Sequence, residues 1–110
     1  MKERIAEEIP IRSTAAYSGQ FRAIPEDSRR LIAAWAESFN IPGMPQAFQR
    51  ELKVVEAGIA YWVPVQEVLV RSMTAELRLK EEIELYVIYI GQVEGRHLFL
   101  VNEFVHEVPH

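Results

Sequence analysis

Two carboxylates near the C-terminus, Glu84 and Glu103, come closest in this chain to a spacing that does chemistry. Residues 82–105 read as a hairpin folded over a turn at Glu94-Gly95. A two-residue turn sets Val93 opposite Arg96, Tyr86 opposite Glu103 and Glu84 opposite Val105. Glu84, Tyr86 and Glu103 then share one face, with the carboxylates diagonal neighbours about 7 Å apart at Cα. Carboxylates that close can divide acid and base roles, because repulsion and unequal burial separate their pKa values. Left solvated at the sheet rim, or paired with Arg71 or Arg78, they do no chemistry. Asn102 stands out on an otherwise apolar strand face, opposite Val87 in this register. A buried amide needs partners. Backbone crossing the sheet would supply them, as would a ligand in a pocket lined by Tyr89, Leu100 and Phe104.

The other chemical candidates are weaker. Tyr61, Trp62, Tyr86 and Phe99 are possible stacking platforms for bases or sugars. Glu82, Glu84 and Glu103 surround that surface, so core packing is the better expectation and nucleic acid is not an expected partner. Tyr61 and Trp62 are adjacent on a strand and face opposite sides, one toward the core and one toward a surface or interface. His97 and His106 lie nine residues apart on one strand, about 30 Å at roughly 3.3 Å per residue, too far to share a metal. His110 is the last residue, and His97 beside the turn is expected to be solvated. With no cysteine there is no thiolate nucleophile, thiolate metal site or disulfide. No Gly-x-Ser-x-Gly elbow and no glycine-rich phosphate loop is present. No cofactor, no metal and no enzymatic activity are expected.

What must position these side chains is a single domain of 110 residues. Its net charge of −4 is unevenly spread: eight Lys/Arg against seven Asp/Glu in residues 1–55, and four against nine in residues 56–110. The half carrying the sheet has the wrong sign for binding phosphates. No apolar run is long enough to cross a bilayer. The charged start, Met1 to Glu8, lacks the apolar stretch of a signal peptide, so a cytoplasmic location is expected, or an exported one if a leader has been removed.

Residues 1–24 read as an arm: a short helix over Lys2 to Ile9 ended by Pro10, a small polar stretch Ser13 to Gly19, then a short strand Gln20 to Ile24. Pro25, Glu26 and Asp27 open a helix over 25–39 whose apolar face is Leu31, Ile32, Trp35 and Phe39. Ile41 to Gln46 is a Pro/Gly loop. A hairpin follows, from Phe48 through Leu52 and Val54-Val55, over a turn at Ala57-Gly58, and back along Ile59 to Val63, where Pro64 ends it. Val65, Leu69, Met73 and Leu77 make a helical stripe, and the strong hairpin comes last.

That last hairpin is apolar on both faces. Ile83, Leu85, Val87 and Tyr89 point one way, with Leu98, Leu100 and Phe104 on the return strand. Tyr86, Ile88 and Ile90 point the other way, with Phe99, Val101 and Val105. A sheet so built must be covered twice. The available covers are the barrel interior with the 25–39 helix on the far side, the N-terminal arm, or a second copy of the chain.

The order is helix, hairpin, helix, hairpin: an α+β domain with a mainly antiparallel sheet of four to five strands and a β-rich core over 47–105. That order resembles the OB-fold or another small half-open barrel. Tyr61-Trp62-Val63-Pro64-Val65-Gln66 and Phe99 to Phe104 also resemble a pattern in small uncharacterised bacterial proteins, which implies a related β-rich fold and no assigned activity. The expected function is a non-catalytic binding or assembly module, a homodimer joined through Tyr86, Ile88, Phe99, Val101 and one of Tyr61 or Trp62. The alternative is a small-ligand pocket or hydrolase around Glu84, Glu103 and Asn102. The weaker alternative is oligonucleotide binding on an OB-like sheet.

Overall fold

Small residues hide the first strand. Ile11–Ala23 (β1) is one bent strand of 13 residues, because each half finds a partner distant in sequence. Its start pairs antiparallel with Glu82–Val93 (β4), Ile11 opposite Val87 through Ala16 opposite Glu82. Its end pairs antiparallel with Phe48–Glu56 (β2). The bend is a bulge between Tyr17 and Phe21, where Gly19 adopts a φ of 76°. The positive φ is what favours glycine there, since a Cβ would meet only the far end of the exposed Leu79 side chain. Of the arm expected over residues 1–24, the part Ile11–Ala23 is therefore a wall of the barrel. The computed structural model describes residues 11–106, and the helix expected over Lys2 to Ile9 lies outside them.

Helix α1, Glu26–Ser38, begins where expected, with Pro25 as the residue before it and Glu26 and Asp27 in its first turn. A one-turn helix, Met44–Ala47 (α2), occupies the end of the stretch read as a loop. Strand β2 turns through Ala57-Gly58 into Ile59–Gln66 (β3). Pro64 does not end β3; it sits inside the strand opposite Glu51. The far edge of β3 is bridged to Arg96–His106 (β5) at one parallel pair, Val65 and Val101. A strand with an edge so sparsely bonded accommodates a proline without losing a ladder bond. Helix α3, Glu67–Glu76, follows without a break and carries Val70 and Met73 into the core.

The strands close in the order β1-β2-β3-β5-β4. This is an α+β fold built on a closed five-stranded barrel, with the helix between β3 and β4, consistent with a small OB-like barrel. The interior is filled by Ala15, Tyr17, Leu52, Val54, Val63, Val65, Ile83, Leu85, Val87 and Val101 together with the two α3 residues. A second apolar cluster lies outside the barrel wall. There Ile90, Val93, Leu98 and Leu100 meet Ile32 of α1, flanked by Leu31 and Trp35. The two-sided hairpin is thus covered by the barrel interior and by the chain's own α1. Part of the apolar face that suggested a second copy is occupied by α1, and Val105 on it stays exposed.

The β4–β5 register explains which residue goes where. The turn at Glu94-Gly95 has two residues, both with positive φ (48° and 82°), and Val93 faces Arg96 as expected. Tyr86 faces Glu103 and Glu84 faces Val105, also as expected. Between these points two bulges shift the pairing by one residue and then restore it: Val87 lies opposite Val101 and Tyr89 opposite Phe99. Asn102 is the extra residue on β5 and Ile90 the extra residue on β4. A shift of one residue exchanges the faces. Phe99 and Val101 therefore join the barrel interior, Leu98 and Leu100 turn to the cluster outside it, and Phe104 stays on the side of Leu85. Asn102, expected buried opposite Val87, is exposed.

Candidate functional site

A cleft of about 690 Å³ opens in the barrel wall between the first halves of β3 and β5. The two strands run parallel and touch at Val65–Val101, so the residues before that bridge diverge and leave the gap unpaired. Ala60, Tyr61, Trp62 and Val63 line one side, and Arg96, His97 and Phe99 line the other. The opening crosses the interior to Leu85 and Val87 on β4 and to Ile11 and Ser13 on β1. The small side chain of Ser13 on β1 leaves that space unfilled, while at α3 Val70 and Met73 pack the core.

The polar groups of the cleft sit at its edges. Glu56, the last residue of β2, accepts hydrogen bonds from the Tyr61 hydroxyl and from Ser13 Oγ. Burial, then the Glu56 bond, pushes the Tyr61 phenol up to about 12. Arg22 lies over the Trp62 ring, its guanidinium carbon 4.1 Å from the ring centre, and its Nε donates to Glu51. Glu51 is 2% exposed, and Arg22 is the cation that makes its burial tolerable. Arg96 approaches Asp27 of α1 at 3.9 Å. His97 is exposed beside the turn, as expected, yet it is not detached: its Nδ1 lies 2.9 Å from the Tyr89 hydroxyl, and its ring is tilted against those of Tyr89 and Phe99.

Tyr61 gives a spectroscopic test of this geometry. The phenol prefers to stay neutral in the folded state, so its contribution to stability is complete below pH 10 and is lost as the pH rises toward 12. In an alkaline titration followed at 295 nm, the difference between the parent chain and Tyr61→Phe is expected to be one tyrosinate with a midpoint near 12. A difference curve centred at 10 would mean that Tyr61 is solvated.

The expected site residues separate into five places. Tyr61, Trp62 and Phe99 converge on the cleft. Val101 has no exposed surface and cannot contact a partner; its place is the barrel core. Ile88 lies against the cluster under α1. Glu84, Tyr86 and Glu103 do share an outer face, and none of them lines the cleft. Glu103 is exposed, and Glu84 lies 3.9 Å from Arg12 of β1 rather than against Arg71 or Arg78. The Tyr86 hydrogen bond, then Glu84, raises the Arg12 pKa further. Asn102 accepts from the Gln66 side chain at the surface, the partner it needed. Among the described residues no three His, Asp or Glu side chains converge as a metal site, and no helix is long and apolar enough to cross a membrane.

Residues that line the cleft without any sequence signal are Ile11, Ser13, Arg22 and Glu56. Ile11, Ser13 and Arg22 depend on the pairing of β1, which only its distant partners reveal, and Ser13 brings β1 to Glu56 at the end of β2. Comparison with protein-family models, with the curated proteins and with the solved structures gave no match.

Proposed function

We propose that this chain is a non-catalytic binding module whose ligand enters the cleft between β3 and β5. The observation that supports this reading is a cavity of about 690 Å³ with aromatic and aliphatic walls and a few convergent polar groups at its rim. That size and lining match those of small-molecule sites. Tyr61, Trp62 and Phe99 are the contact residues. Glu84, Glu103 and Asn102 do not line this cleft, and catalysis is not proposed.

The test uses a neutral apolar fluorophore, N-phenyl-1-naphthylamine, whose emission rises on leaving water. Enhanced emission that saturates at one dye per chain is expected. Ser13→Phe, which adds a ring into the cleft, is expected to abolish that binding while the far-ultraviolet circular dichroism stays that of the parent. Dye binding undiminished in Ser13→Phe would place the apolar site elsewhere. The second reading is a second copy of the chain at the cleft mouth, where Ile11 is exposed. In that case Ser13→Phe would lower the mass in solution.

A further inference from the structure

The charges around the cleft do not balance, and the imbalance points to the chemistry of the ligand. Three charged side chains line the opening: Arg22, Arg96 and Glu56. Arg22 is committed to the buried Glu51 and to the Trp62 ring, and Arg96 faces Asp27. Each guanidinium thus has a carboxylate of its own. Glu56 has two hydroxyl partners, Tyr61 and Ser13, and no cation within ion-pair distance among the described residues. Hydroxyl donors orient a carboxylate without neutralising it. One negative charge is therefore left over, held in place at the edge of an apolar cleft.

The walls suit a positive group as well. Tyr61 and Phe99 line the cleft, and an aromatic ring attracts a cation over its face, the more so where water is partly excluded. A carboxylate accepting from an ammonium or amidinium makes a charge-assisted bond stronger than one between neutral groups. We infer that the cleft between β3 and β5 takes a small molecule with an aromatic or aliphatic body and one cationic head, an amine or amidine. Its body lies against Tyr61, Phe99, Leu85 and Val87, and its head lies at Glu56.

This rests on the cleft being the binding site, and the experiment separates the two. Three probes share one body and differ in charge: 2-naphthylmethylamine, 2-naphthylmethanol and 2-naphthoate. Their affinities for the full chain are measured by isothermal titration at pH 7 and low salt, with the parent and with Glu56→Gln. The amine is expected to bind about tenfold more tightly than the alcohol, an advantage that fades at high salt, and the naphthoate more weakly than either. In Glu56→Gln the amine is expected to fall to the level of the alcohol, whose own affinity is unchanged. Glu56 is exposed, so the unfolding midpoint of the variant serves as a control that the fold is intact. Equal affinity for amine and alcohol, or an amine preference that survives Glu56→Gln, would overturn the inference and leave the cleft in place. Tightest binding of naphthoate would also overturn it, assigning the site to Arg96. Binding of none of the three would overturn both this inference and the cleft itself.

Discussion

Val101→Asp is expected to abolish cooperative folding at neutral pH. Val101 has no exposed surface, packs in the barrel interior and forms the single bridge that joins β5 to β3. A carboxylate there has no hydrogen-bond donor among its apolar neighbours. Burying an unpaired charge costs far more than a domain of this size has to spare, and taking up a proton reduces the cost without removing it. Val101→Ala, which removes only methyl groups, is expected to cost about 2 kcal/mol and to remain folded. Urea unfolding followed by tryptophan fluorescence and by circular dichroism distinguishes the two variants. A folded, soluble Val101→Asp protein with a lower mass than the parent would reverse the assignment and put Val101 at an interface between copies.

Ile32→Asp is expected to damage a different part of the molecule. Ile32 is 2% exposed and sits between α1 and the outer face of β4 and β5. A carboxylate there is relieved when α1 swings away, at a cost of about 3–5 kcal/mol in lost docking. The barrel interior does not contain Ile32, so its strands persist while Ile90, Leu98 and Leu100 become exposed. An apolar sheet face left open in this way associates. The expected result is a retained strand signal, partial loss of helix signal and a larger mass by light scattering than that of the parent chain. Complete unfolding without a strand-rich intermediate would show that the barrel cannot stand without α1.

Protons add a smaller effect at the opposite end of the chain. The Arg78 backbone N–H donates to Glu81 and, followed by His106, lowers the Glu81 pKa. Such a group contributes stability above its ordinary titration range and loses it as the pH falls. His106 also lies 3.4 Å from Glu76, so β5 is tied to the end of α3 and to the loop after it. This tie lies away from the residues that line the cleft.

How much of this was legible in the residues differs sharply from one element to the next. Helix α1 was readable because its signals are local: Pro25, the acidic first turn and the stripe through Ile32 and Trp35 all lie within a few turns of one another. The Glu94-Gly95 turn was readable for the same reason, and with it the pairing of Glu84 with Val105 and of Tyr86 with Glu103. That the hairpin is buried on both faces also followed from composition alone, since both parities of β4 and β5 are apolar. The element order with a helix after the second hairpin strand sufficed to suggest an OB-like barrel, and the barrel has that order.

Tertiary structure decided the rest. Strand β1 is rich in Ser, Ala and Gly and carries little apolar alternation; it exists because β2 and β4 supply its hydrogen bonds. The bulges at Asn102 and Ile90 send Phe99 and Val101 inward, and nothing in the alternation of an all-apolar strand marks where a residue is skipped. The cleft depends on both facts, because one wall is β1 and another is the half of β5 that the bulge reorients. Local periodicity is written in neighbouring residues and can be read from them. Register and closure are set by which distant strands meet, so the candidate site appears only once the barrel is closed.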